Sequence, residues 1–578
     1  MGYLGVTRSV GGRRWVGPDP AAERLAEALA QAGHPLALAQ HLAARGVAPE
    51  AAAGFLAPRL RDALPDPLVL RDMGLAADRL LRAAHRRERV AVFADYDVDG
   101  GASAALIQWW LRAFGHAATL YVPDRIEEGY GPNPMAISHL AARHDLIVCV
   151  DCGTVGHEAL SATDGRADVV VLDHHLGSET LPPALAVVNP NRADEDGALG
   201  HLCAAAVTFL CLVEANRLAR SRGGWGPDLM AMLDLVALAT VADVAPLVGV
   251  NRALVRQGLA VMARRERPGL VALADAARMD GRPTTYHLGY LLGPRINAGG
   301  RIGKADLGAR LLSTDDPDEA AALARRLDDL NAERRAIEAG ITERALEQAA
   351  ARDGPLAWAA GEGWHPGIVG IVASRLKEAT NRPAVVLGLR PDGVAQGSAR
   401  SVAGVDIGAA VQRLVAEGMI AKGGGHRMAA GLTVHGTRLE AAMERLGTLV
   451  ARQGAEVGAP GDLALDGTLM PGAATLETVA ALEGAGPFGQ AARAPRFALA
   501  DLRVATCHAV GDGHLKMTLT DGRARLDAIA FRASDALRDL LTGVPSVHVA
   551  GRIEANRWRG RETVQLRLDD AAEAVRPA

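Results

Sequence analysis

From about residue 85 the chain alternates continuous apolar runs with stretches of helical period. RVAVFAD (89–95) leads into ASAALIQWWLRAFG (102–115), and DLIVCVD (145–151) and ADVVVLD (167–173) follow, each with a helix or loop behind it. Continuous apolar strands alternating with helices predict a parallel sheet covered on both faces. A Leu/Ala/Val-rich helical region occupies about 202–275. In residues 317–350, Leu323, Leu327 and Leu330 recur at helical spacing among interleaved charges. That pattern predicts one long helix joining two halves, about 50 Å if continuous. A second alternating region runs from 355 to about 455, with GIVGIVASRLKEA and RPAVVLGL among its pieces. The tail changes character: HLKMTLTD, RLDAIAF, SVHVAGRI and TVQLRL read as short strands of a small barrel. Residues 1–75 read as small helices and loops.

A chain of 578 residues exceeds one hydrophobic core. The pattern divides it into an N-terminal extension (1–75), a catalytic α/β domain (76–316), a connecting helix (317–352), a second α/β domain (353–458) and a β-barrel (459–578). The net charge of −4, from 63 basic and 67 acidic residues, excludes a uniformly basic nucleic-acid coat. A polyanion must bind at a local basic patch or through metal ions. The five cysteines are scattered, and the Cys149/Cys152 pair has no second pair to complete a zinc site, so a reducing, cytoplasmic setting is expected. No run of signal-peptide or membrane-span character is seen.

Three apolar runs end on acids. Asp95, Asp97 and Asp99 follow the first, Asp151 the second, and Asp173, His174 and His175 the third; Asp243 ends an apolar helical segment. In a parallel sheet ligands bind at the carboxyl ends of the strands, so these groups point at one edge. Carboxylates that crowd together stay ionised only if cations neutralise them. Oxygen ligands with one imidazole suit Mn2+ or Mg2+ better than zinc. Two such ions suit phosphodiester hydrolysis.

ADYDVDG, VDCG, LDHH and ATVADV resemble the four motifs of the DHH phosphoesterase superfamily. Within it the chain is similar, from about 75 to 570, to the RecJ family of single-strand-specific 5′→3′ DNA exonucleases. Ala94 stands where that family often has Gly. The resemblance implies a DHH parallel-sheet domain, a long helix, a DHH-associated α/β domain and a C-terminal OB-type barrel. It implies Asp97 and Asp99 as ligands of different ions, bridged by Asp151. His174 and Asp243 complete the set, Asp95 is a further ligand or supports one, and His175 faces the scissile phosphate. Which histidine binds metal is open in the sequence.

GPRINAGGRIG (293–303) resembles the segment that crosses the substrate cleft, which makes Arg295, Asn297 and Arg301 candidate phosphate contacts. GWHPGIVGIVASRL (363–376), GSARS (397–401) and GGGHRMAAG (423–431) resemble the DHH-associated domain and add His365, Ser398, Arg400 and His426. GPFGQAARAPRF (486–497) resembles the entry to the barrel. Phe497, Phe531 and Trp558 are either base stackers or core. Residues 551–567 carry five arginines against two glutamates, a local basic patch. The resemblance further implies action in DNA repair and recombination, with a single-strand-binding protein and a helicase as partners; we expect a monomer. Two other readings fit part of the pattern. A small-substrate DHH phosphodiesterase, acting on oligoribonucleotides or cyclic dinucleotides, leaves the barrel unexplained. A non-catalytic single-strand scaffold does not need the complete ligand set.

Overall fold

A computed structural model describes residues 2–124, 128–129, 131–453, 461–511, 513–558 and 560–574, without the side chain of residue 558. The chain divides into two compact units, one of residues 64–458 and one that joins residues 1–63 to 459–578. No helix among the described residues is long and apolar enough to cross a membrane.

The larger unit begins with an all-parallel sheet in the order Thr119–Tyr121, Val90–Ala94, Leu146–Val150, Asp168–Leu172, Ala186–Val188. Val90–Ala94 and Leu146–Val150 are buried at every position, as their unbroken apolar runs require. The chain continues from the first strand into the helix Val98–Ala113 and, after the sheet, into the helices Ala204–Ser221, Leu233–Ala242, Gly249–Met262 and Pro268–Ala276. GPRINAGGRIG is helical: the π-helical stretch His287–Leu292 runs into the α-helix Gly293–Ile302. Its glycines permit close packing. A Cβ on Gly300 would lie 2.9 Å from the Cβ of Tyr96, within the acidic stretch.

The connecting helix is continuous over Pro317–Ala350, 34 residues, or about 51 Å. Asp316 caps it, accepting from the backbone N–H groups of Asp318 and Glu319, and Pro317 sits in the first turn, where its missing N–H costs nothing. Beyond it lies a mixed sheet in the order Lys422–His426, Ala429–His435, Val394–Arg400, Ala384–Leu389, Ala357–Glu362. Ile341, Ala345 and Ala349 of the long helix share a core with the helix Pro366–Thr380 and one face of this sheet. GGGHRMAAG forms its outer antiparallel hairpin.

In the smaller unit, the strands Phe497–Val510, His514–Thr520, Arg525–Ala530, Arg561–Glu573 and Val547–Trp558 form a barrel that closes through pairing of the first and last. This is the small barrel that the short strands of the tail predict, and the resemblance implies its OB type. The N-terminal residues 1–63 belong to the same unit and pack against the barrel. Trp15–Val16 pairs in parallel with Leu463–Ala464. Leu29, Leu38 and Leu42 share a core with Phe497, Leu515 and Val547. His41 Nδ1 meets Asp466 Oδ2 at 2.9 Å with both side chains fully buried.

Candidate active site

The acids sit where the three central strands run out. Asp95, Asp151 and Asp173 each extend the sheet by one hydrogen bond, donating their N–H to Val150, Leu172 and Val188 carbonyls at 3.3, 3.0 and 3.1 Å. Their side chains then project beyond the carboxyl edge, next to the order reversal at Val90–Ala94. Asp151 turns there with φ 59°, a conformation that Asp tolerates better than most residues. Asp97 caps the helix Val98–Ala113, accepting from the N–H groups of Asp99 and Gly100. Gly100 has no substitute: a Cβ there would be 2.4 Å from the Asp95 carbonyl oxygen. Asp99, two residues on, accepts from the N–H groups of Ala204 and Ala205 at 2.7 and 2.8 Å, at the positive end of the helix Ala204–Ser221.

Side chains from four separate elements converge. His174 Nε2 is 3.3 Å from Asp151 Oδ1 and 3.7 Å from Asp99 Oδ2, and its Nδ1 is 3.9 Å from Asp243 Oδ2. Three overlapping groups hold their ligand atoms within 4.8 Å of one another: Asp95, Asp97 and Asp151; Asp151, His174 and His175; Asp99, His174 and Asp243. Asp97 and Asp99 therefore fall in different groups, and Asp151 and His174 are each shared by two. The electrostatics fit divalent cations. Burial and then the neighbouring Asp99, Asp97 and Asp95 push the Asp151 carboxyl well above its ordinary range. Burial raises Asp99 as well, and burial, followed by Asp99 and Asp97, takes Asp243 up to about 8. Asp151 Oδ1 is buried and accepts no hydrogen bond from the described residues. Acids in this state are stabilised as anions only by positive charge placed among them.

Asp173 is built the opposite way. Burial opposes its ionisation, but hydrogen bonds hold it below the usual carboxylate range. Oδ1 accepts from the N–H groups of His174 and His175 and from His175 Nδ1; Oδ2 accepts from the N–H and hydroxyl of Thr154. Burial lowers the His175 imidazole, yet the Asp173 partner takes it up to about 9. Asn189 and Asn191 donate to the His175 and His174 carbonyls at 2.8 and 2.6 Å and fix the turn that carries both imidazoles. Thr154 and both asparagines are not among the residues the sequence singles out. The asparagines do carry a signal: NPN immediately after a strand, at the same sheet edge as the acids.

The other candidates divide. Asn297 Oδ1 accepts from the Val98 N–H at 3.0 Å, and so holds the acidic turn. Arg295 pairs with Asp328 of the long helix at 2.9 Å and donates to the Leu291 carbonyl. Both are thus engaged within the chain. Arg301 donates to the Gly367 carbonyl at 2.9 Å and lines a cavity with His365, Asp124, Gly300 and Gly303. His365 caps the helix Pro366–Thr380, its Nδ1 accepting from the Gly367 N–H. A Cβ on Gly370 of that helix would lie 3.2 Å from Ser398 Oγ and 3.1 Å from Arg400 Nη2, so both side chains lie over its first turns. His426 is exposed and pairs with Ala429, which pairs in turn with Arg400. In the barrel, Phe497 is core at 1% exposure, whereas Phe531 is 48% exposed with the Arg567 guanidinium 5.2 Å from its ring centroid. The Trp558 side chain and Arg559 lie outside the described residues. Within the basic patch, Arg552 pairs with Asp569 and Arg557 with Glu562.

Comparison with known proteins agrees with this geometry. Residues 89–240 match the N-terminal domain of the DHH family, 353–452 the DHHA1 domain and 465–570 the RecJ OB domain. The chain is 37% identical over 517 residues to the single-stranded-DNA-specific exonuclease RecJ of Escherichia coli, covering 86% of this chain and 89% of that one. It is 34% identical over 549 residues to the protein of the same name from Thermus thermophilus, covering 92% and 77%. Crystal structures of the Thermus thermophilus RecJ in complex with Mn2+ and with Mg2+ superpose with TM-scores of 0.81 and 0.74 at 30% and 28% identity, covering 98% and 97% of this chain and 80% and 78% of theirs. Matches to all three domain models, with 37% identity over most of both chains, show that the chain belongs to the RecJ family of the DHH phosphoesterases.

Proposed function

We propose that the chain is a Mn2+- or Mg2+-dependent exonuclease that hydrolyses phosphodiester bonds of single-stranded DNA from the 5′ end. The observation that carries this is the convergence of Asp95, Asp97, Asp99, Asp151, His174 and Asp243, with His175 beside them. In this reading Asp95, Asp97 and Asp151 would hold one ion and Asp99, His174 and Asp243 the other. Ions bound there would supply Lewis-acid stabilisation of the phosphodiester and lower the pKa of the attacking water. His175 faces the scissile phosphate, its ring oriented by Asp173. Arg301 holds the backbone near the cut, and His365, Ser398, Arg400 and His426 hold phosphates on the second half. Arg295 and Asn297 keep their internal partners and position that surface. The barrel binds the strand beyond the site through Phe531 and nearby arginines.

By the same family likeness the enzyme works as a monomer in the cytoplasm, in DNA repair and recombination, beside a single-strand-binding protein and a helicase. The test is degradation of 5′- and 3′-labelled single strands with Mn2+ and with EDTA. Mononucleotide release from the 5′ label first, only with metal, is expected. Release from the 3′ label first, or no dependence on metal, refutes the reading.

A further inference from the structure

Tyr286 and Tyr290 stand in the open, with 62% and 75% of their surface exposed, in a chain that is only 3% aromatic. Their rings stack on each other, centroids 5.4 Å apart and planes 24° from parallel. Large rings usually gain their stabilisation by burial, so an exposed, ordered pair is unusual on a chain so poor in aromatics. Tyr290 lies within the π-helical stretch His287–Leu292 and Tyr286 immediately precedes it; such turns are rare and concentrate at functional sites. The pair is braced from one side. His287 Nδ1 accepts from the Thr284 N–H at 3.1 Å, and its ring lies edge-on to Tyr286.

The same helix leads to the acids. A Cβ on Gly289 would lie 3.3 Å from Val241 Cγ1; one on Gly293 would lie 3.3 Å from Ala242 Cβ and 4.0 Å from Val98 Cγ2. Ala242 is the chain neighbour of Asp243, and Val98 lies between Asp97 and Asp99. Tyr290 is three residues from Gly293, about 5 Å along the helix axis. Val244, the next residue after Asp243, is 62% exposed and held at φ 58°, a conformation that a β-branched side chain rarely adopts. It adds an apolar group beside Asp243.

We propose that Tyr286 and Tyr290 form a stacking platform for the nucleobases of the strand whose backbone is held at the acid cluster. This rests on the exonuclease reading above and extends it to the bases. The occupant is unpaired bases because every base has a π-face, so stacking is tolerant of sequence, as a degradative enzyme requires. Duplex bases have both faces covered by their neighbours, so the platform also favours single strands.

The test compares Tyr286→Ala, Tyr290→Ala, the double substitution and Tyr290→Phe on two fluorescent oligonucleotides with Mn2+. One carries normal bases and one a run of stable abasic sites. The platform predicts that the alanine variants raise KM on the normal strand about tenfold or more, and less than threefold on the abasic strand. Tyr290→Phe, which keeps the ring, stays within threefold of wild type. Equal losses on both strands, or no loss on either, overturn the platform while leaving the exonuclease reading intact. A wild-type chain inactive on every single strand overturns the exonuclease reading and this one with it.

Discussion

Two buried aspartates at neighbouring strand ends should respond oppositely to the same substitution. Asp173 accepts five hydrogen bonds, three on Oδ1 and two on Oδ2. Asn in its place turns an NH2 group toward either two or three of those donors, whichever way the amide is rotated. Each buried donor left without an acceptor costs about 1–3 kcal/mol, so Asp173→Asn should destabilise the fold by about 3–5 kcal/mol. For a unit of this size that lowers the melting temperature by on the order of 10 °C. Asp151 is 2% exposed and surrounded by other acids, and Oδ1 accepts no hydrogen bond from the described residues. Asn there removes a crowded titratable group, and at φ 59° it adds less strain than Ala. Metal-free Asp151→Asn should melt within about 2 °C of wild type, or above it, while losing all cleavage. The assay is thermal unfolding of both variants in EDTA, paired with cleavage of a single strand in Mn2+. If Asp151→Asn melts as low as Asp173→Asn, the crowding argument is wrong. If Asp173→Asn melts like wild type, the five-bond account of the turn is wrong.

Metal should stabilise the wild-type chain. Ions that bind only the folded state raise its melting temperature by mass action, so Mn2+ should raise it and EDTA should lower it; a titration of apo protein should count two ions, and no thermal shift would refute the assignment. A chain of residues 64–458 should still cut short oligonucleotides, but bind long single strands more weakly and with a shallower salt slope; affinity and slope equal to full length would show that the barrel does not bind DNA. Removing only 459–578 should cause aggregation, because Leu29, Leu38 and Leu42 lose the barrel core they share; a soluble, folded product would contradict this. Blunt duplex should survive digestion, since unpairing costs about 1.4 kcal/mol per base-pair step, and Arg301→Ala should raise KM for single strands without changing Mn2+ affinity; equal rates on duplex and single strand would refute the selectivity.

Much of this was legible in the chain. Val90–Ala94, Leu146–Val150 and residues 169–172 are apolar runs with one acid beyond each, and in a parallel sheet that local fact fixes both burial and the edge the acids occupy. The long helix showed in its leucine spacing, and the barrel in its short strands. Hydrophobic period tells which face of an element is buried but not what buries it, so partners distant in sequence could not be read. Asp99 could be placed near a cation, but not on the N-terminus of a helix 105 residues away. Asn297 and Arg295 have the chemistry of phosphate contacts, yet Val98 and Asp328 occupy them. Phe497 had the pattern of either a stacker or a core residue, and the closure of the barrel put it inside. Residues 1–75 read as an N-terminal extension because nothing in the composition of residues 1–63 names Phe497 and Val547 as the core they complete. The chemistry of the site is local and is written in the motifs; its support is assembled from distant segments, and only the tertiary structure decided it.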